Sequence, residues 1–128
     1  VGQSILGQPP SGKIPGFLLE ELNLPEEKRI IHWVNEECGI FRKDQSANDE
    51  RARRWGVKKG NTNMTYDKLH RAIRYNYKNN HKSGSLTHLS FGIYGQSEGH
   101  KVSPFYQFDM GNKDVRGQID YFKNNHAG

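Results

Sequence analysis

The chain has 128 residues, of which 33% are hydrophobic, with fourteen glycines and a net charge of +5. That is one domain with tails and a modest core. No stretch approaches the ~18 apolar residues of a spanning helix, no signal-peptide pattern is visible, and the lone Cys38 excludes an internal disulfide and leans towards a reducing compartment.

The charge is unevenly spread. Between Arg51 and Lys82 ten Lys or Arg face a single acid, Asp67, a balance of +9, while the remainder carries −4. A basic centre with near-neutral or acidic flanks fits a polyanion-binding face better than general solubility. Beginning at Val rather than Met, the chain is expected to be a piece of something longer.

Residues 1–13 are rich in Gly, Pro, Ser and Gln and read as a flexible linker. Pro15 suits a first helical turn ahead of Phe17-Leu18-Leu19-Glu20-Glu21-Leu22, so a helix is expected to about Asn23. After a break over Pro25 to Arg29, Ile30 to Val34 reads as a strand, Asn35 to Gly39 as a turn, and Ile40-Phe41-Arg42 as a second strand. A polar loop, Asp44 to Asn48, leads to a short helix over Asp49 to Trp55, with Asn48 as N-cap and Gly56 as terminator. Lys58 to Asn63 reads as a turn, and Met64 to Lys78 as a helix. Asn79 to Ser85 is turn-like, Leu86 to Tyr94 has strand character, Gly95 to Gly99 is another turn, and Val102 to Phe108 is a final strand that Pro104 assigns to an edge or bulge. In the tail, 109–128, Val115, Ile119 and Phe122 are spaced for a short amphipathic helix. Two strands, a short helix, a turn, a basic helix and a hairpin make an α+β winged helix-turn-helix over 14–108, three helices packed on a small antiparallel sheet.

The basic helix carries the chemistry. At about 100° per residue, Tyr66, Leu69, Ile73 and Tyr77 gather in one arc and Arg71, Arg74 and Lys78 nearly opposite. One side can be buried while the other presents two guanidiniums to the major groove, where Arg reads guanine O6 and N7 bidentately. Taken alone, such a helix is more often a solvated basic face; the surrounding pattern favours DNA. Six scattered histidines, His32, His70, His81, His88, His100 and His126, have no metal-site spacing with a cysteine. The acidic pairs read as solvated charge, and no phosphate-cradling Gly-rich loop or activated nucleophile is present, so neither catalysis nor a cofactor is expected. Trp33, Trp55, Phe17 and Phe41 are expected in the core.

These residues resemble the ETS family of transcription factors. Phe17-Leu18-Leu19-Glu20 resembles its first helix, the gap from Phe17 to Trp33 is its spacing, and Gly39-Ile40-Phe41 is similar to its second strand. Arg53-Arg54-Trp55-Gly56 followed by Met64-Thr65-Tyr66-Asp67-Lys68-Leu69, then Arg71-Ala72-Ile73-Arg74-Tyr75, is the most specific part, and Phe105-Tyr106-Gln107-Phe108 resembles the closing strand. Asn61 to Tyr66 leans towards the epithelium-specific branch. The resemblance implies a nuclear transcriptional regulator that binds double-stranded DNA with a GGA core as a monomer, alongside protein co-regulators. It implies base contacts from Arg71, Arg74 and Tyr75, and phosphate contacts from Lys58, Lys59, Lys68, Lys78 and Trp55, the last through its backbone or indole N–H. The N-terminus of the first helix, near Ile14 to Phe17, would meet a phosphate.

The chain departs from the family at several points. Pro15 replaces a tryptophan, His70 a small residue, and Asn76 a tyrosine, and the stretch 79–103 is longer than the family's wing. Arg51 stands where the family has Val, so its guanidinium is expected to snorkel outwards or the helix to rotate. The rival to specific DNA binding is a protein-interaction module on the same fold, using the Arg51 face and the wing, with residual DNA binding. A non-specific polyanion binder is the third reading.

Overall fold

The protein is described here by a computed structural model covering residues 13–77, 85–89 and 103–126. Its elements follow in the order α1 (Ile14–Leu22), β1 (Ile31–Asn35), β2 (Ile40–Lys43), α2 (Asn48–Lys59), α3 (Tyr66–Tyr75), β3 (Leu86–His88), β4 (Phe105–Phe108) and α4 (Lys113–His126). The strands form an antiparallel sheet in the order β1-β2-β4-β3. Helices on this sheet, with α2 and α3 joined by a short turn, make the winged helix-turn-helix. The tail contributes a fourth helix, α4, over the stretch where Val115, Ile119 and Phe122 are spaced for one, beside the three helices of the winged helix-turn-helix.

One core serves all layers. Phe17, Leu18 and Leu19 of α1, Phe41 of β2, Trp55 of α2, Leu69 and Ile73 of α3 and Tyr106 and Phe108 of β4 are all buried in it. Phe41 lies between Tyr106 and Phe108, with ring centroids 5.7 and 4.9 Å away. Phe17 meets Trp55 at 5.1 Å, and Trp33, only half-buried, leans on Phe108 at 6.0 Å. Val115 and Ile119 of α4 join the same core beside α1.

Several boundaries differ from expectation, each for a physical reason. α2 runs four residues past Trp55, and Gly56 lies inside it. A β-carbon on Gly56 would sit 2.6 Å from the Asn61 carbonyl oxygen and 2.8 Å from Met64 Cβ, so this glycine admits the following turn rather than ending the helix. Termination falls to Gly60, at φ +68. Asn48 does not cap α2: Ala47 occupies that position, and the Asn48 carboxamide oxygen accepts from Arg51 instead. α3 starts two residues later than expected, with the Thr65 hydroxyl accepting from the Lys68 N–H at 3.3 Å. It ends at Tyr75 because Asn76 turns its amide back to the Ala72 carbonyl (2.9 Å), while the Asn76 carbonyl receives the N–H groups of Ser85 and Leu86. Tyr77 therefore leaves the helix and bridges to Leu86.

Pro104 precedes β4, which is a central strand and not an edge. The Pro104 carbonyl accepts from the Lys43 N–H, extending the β2–β4 pairing by one bond. The expected strand from Leu86 is described only as Leu86–His88; its continuation to Tyr94 and the turn over 95–99 lie outside the described residues.

Arg51 is the largest correction. It neither snorkels nor rotates away: it is 2% exposed, and its guanidinium donates to the Asp44 carbonyl and the Asn48 carboxamide oxygen. These bonds come from the short 3₁₀ turn before α2 (Gln45–Ala47 and its flanks), which gives the buried cation the partners it needs. An Arg51 surface for a protein partner is thereby removed.

Candidate nucleic-acid interface

The surface that could meet a polyanion is built by α2, its following turn and α3. Gly56 lets the turn fold close over α2, where the Asn61 N–H donates to the Gly56 carbonyl at 2.8 Å. The Asn61 side chain in turn accepts from the Asn63 N–H at 2.9 Å. α3 leaves this turn with Leu69 and Ile73 buried. Arg71, Arg74 and Tyr75 all stand exposed on the outer side, Tyr75 at 63%. Three residues apart, the two arginines lie on neighbouring positions of one helix face.

The predicted phosphate-contacting residues have different local ties. Lys68 is exposed, its ammonium resting on the Asn63 carbonyl at 3.2 Å. The ammonium of Lys59 lies 5.4 Å from the centre of the Trp55 ring. Lys58 is bound to the Glu20 carboxylate of α1 and would have to exchange that partner for a phosphate. Trp55 is buried against Phe17. As the eighth residue of α2, its backbone N–H belongs to the helix ladder, leaving only the indole edge for a contact. Lys78 lies outside the described residues. At the start of α1, Lys13 provides no side-chain cap, and Pro15 removes one of the first N–H donors.

Ion pairs fix the helices behind this face. Arg54 reaches Glu21 of α1 at 2.8 Å and Glu50 at 2.9 Å, and Glu50 also meets Arg53 at 2.7 Å. Hydrogen bonds from Arg53 and then Arg54 hold the Glu50 carboxyl down to about 2.

The missed residue is Lys43. It is 4% exposed and packed behind α3, and burial, followed by the neighbouring charge of Arg51, pulls its ammonium down to about 8. The signal was in the strand: Phe41 and Lys43 are two residues apart, so they share the inward face once β2 extends past Arg42. His70, half-buried on α3 with its ring 5.7 Å from that of Tyr66, is likewise pulled down by burial and then by Lys43.

The Ets-domain family profile matches residues 11–85, more than half of the chain. Among curated proteins, human ETS domain-containing protein Elk-4 is 45% identical over 64 residues, half of this chain and 14% of that protein. The mouse SAM pointed domain-containing Ets transcription factor is 49% identical over 63 residues, covering 48% of this chain and 19% of that protein. Bovine ETS-related transcription factor Elf-5 is 46% identical over 63 residues, 48% of this chain and 24% of its own length. The match thus spans less than a quarter of the length of each of these relatives.

Proposed function

As the chain belongs to the Ets-domain family, we propose that α3 enters the major groove of a GGA-centred duplex and that Arg71 and Arg74 each grip one of the two guanines. Proteins of this family are non-enzymatic, DNA-binding regulators of transcription. The observation that carries the finer reading is the exposed pair Arg71 and Arg74 on α3, back to back with the buried Leu69 and Ile73. Tyr75 stands beside them to contact DNA, while Lys59 and Lys68 bind phosphate. Lys58 joins them after releasing Glu20, and Lys78 and the Trp55 indole complete the set. The chain acts as a monomer on DNA in the nucleus, as the DNA-binding module of a regulator with protein co-regulators. The run Asn61 to Tyr66 supports a place near the epithelium-specific branch; overall identity does not choose, since Elk-4 and Elf-5 match at 45% and 46%.

The test is a binding titration at one stated salt concentration, since phosphate contacts make affinity salt-dependent. A GGA duplex is compared with one altered only at the two guanines, for the wild type and Arg71→Ala. A preference of about a hundredfold that the substitution erases supports the reading, at roughly 1–3 kcal/mol per bidentate pair. Equal, weak binding of both duplexes would sink it and leave a protein-interaction module or a non-specific polyanion binder.

A further inference from the structure

The core behind α3 is not wholly apolar. Lys43 donates from its Nζ to the Tyr66 hydroxyl at 3.3 Å. The same ammonium lies 5.4 Å from the centre of the Tyr66 ring and 5.3 Å from that of Tyr106. Tyr66 is the first residue of α3, so this contact ties the sheet directly to the start of the helix that carries Arg71 and Arg74.

None of the ion pairs among the described residues involves Lys43. Its neighbours are cations and neutral rings. Arg51 of α2 acts on it directly, and His70 of α3 feels its charge together with those of Arg74, His88 and Asp67. Glu21 of α1 and Asp44 act on Arg51. Tyr106 of β4 and Tyr77 are both pushed up by burial, so they remain neutral phenols. The His70 Nδ1 is buried without a hydrogen-bond partner among the described residues.

A buried, unpaired ammonium is a poor way to stabilise a fold, because an apolar side chain of the same length would fill the space without the desolvation cost. What it supplies is direction. A charge-assisted hydrogen bond is roughly twice as strong as a neutral one and, like any hydrogen bond, has a preferred direction, whereas an apolar contact tolerates sliding. Bidentate arginine–guanine recognition needs placement to within about 0.5 Å, and α3 transmits any shift at Tyr66 to both arginines.

We propose that Lys43 is a positioning residue for base discrimination, its buried ammonium and the Tyr66 hydroxyl together setting the pose of α3 that lets Arg71 and Arg74 engage adjacent guanines. This rests on the reading of α3 as the GGA-reading helix. Loss of the Lys43 proton weakens the tie, so discrimination falls as pH rises past the ammonium's own midpoint.

The test uses the full chain, the GGA duplex and its guanine-altered counterpart at fixed salt, with thermal melting in parallel. Lys43→Met is expected to melt higher than the wild type and yet to lose about tenfold in the ratio of the two affinities. Tyr66→Phe, which keeps the ring and removes only the hydroxyl, is expected to lower the ratio similarly. Between pH 7 and 9 the wild-type ratio should drop severalfold, while that of Lys43→Met stays flat. An undiminished ratio in both variants overturns the proposal, and so does a ratio that falls only in step with a lowered melting temperature. A wild type that prefers neither duplex overturns the reading of α3 itself, and this proposal with it.

Discussion

Arg54 of α2 meets Glu21 of α1 at 2.8 Å, and Glu21 is buried at 7% exposure. With Lys58–Glu20, the pair is one of two ionic ties, among the described residues, between the first helix and the helix that precedes the recognition turn. Removing one partner leaves the other charge stranded. Arg54→Ala is therefore expected to lower stability by about 2–3 kcal/mol, read by urea denaturation, whereas the double change Glu21→Leu with Arg54→Met recovers most of it. Glu50, the better exposed acid of the network, contributes less. Its carboxyl is depressed from 4.5 to about 2, so its contribution is present above pH 4.5 and disappears as pH falls through that window.

Two glycines of the helix-turn-helix should respond differently to alanine. At Gly56 the new methyl would press on the Asn61 carbonyl and on Met64, so the turn itself must move. A loss of about 1–3 kcal/mol is expected, with weaker binding to any duplex. At Gly60 there is open space, and the only penalty is the left-handed backbone at φ +68, about 1–2 kcal/mol. Denaturation midpoints of the two variants, together with their affinities, separate a blocked contact from backbone strain: Gly60→Ala should bind DNA normally at a temperature where it is folded.

The pH dependence of stability should run against the usual alkaline decline. Lys43 holds its proton in the unfolded chain to about pH 10.5 but in the folded chain only to about 8. Between these values the unfolded state binds more protons, so stability rises with pH across the window; below pH 8 the penalty is fully present and constant. Lys43→Met removes it, gaining about 3 kcal/mol at pH 7 and progressively less towards pH 10. Equal pH slopes for the wild type and the variant in that range would contradict the buried ammonium.

Much of this architecture was legible because local and tertiary demands agreed. The Leu69–Ile73 stripe and the exposed Arg71 and Arg74 are properties of one helix, and periodicity reveals them. Gly56 misled because a glycine after a tryptophan looks like a helix stop; its purpose depends on Asn61 and Met64 folding back, which no local window contains. Arg51 misled, and Lys43 went unread, for the opposite reason. Charge normally marks the surface, and only the bonds from Asp44 and Asn48 and the rings of Tyr66 and Tyr106 make these two tolerable inside.

Lys68 and Arg74 are expected to fail in different ways. Both are exposed on α3; Lys68 reads phosphate and Arg74 a base under the proposed function. Lys68→Ala should weaken the GGA duplex and its altered counterpart alike, and reduce the slope of log affinity against log salt by about one. Arg74→Ala should weaken chiefly the GGA duplex, at a cost of roughly 1–3 kcal/mol. Titrations at three salt concentrations would distinguish these outcomes, and interchangeable behaviour would rule out the assignment of roles.

The tail helix belongs to the core, and this decides what its removal does. Val115 and Ile119 of α4 are almost fully buried, and Phe122 shares a cleft with Leu19, Trp33 and Ile119 beside α1. Ile119→Ala should cost about 2–4 kcal/mol, and deleting 110–128 more, because Leu19 and the covered edge of Trp33 then meet water. Whether α4 also governs DNA access is a separate question, answered by affinity at a temperature where the truncated chain remains folded. An affinity change there would mean that the packing of α4 on α1 is felt by the DNA-facing helix through the Glu21–Arg54 tie, and Arg54→Ala should then abolish the difference between full-length and truncated chains. An unchanged affinity would confine α4 to stability.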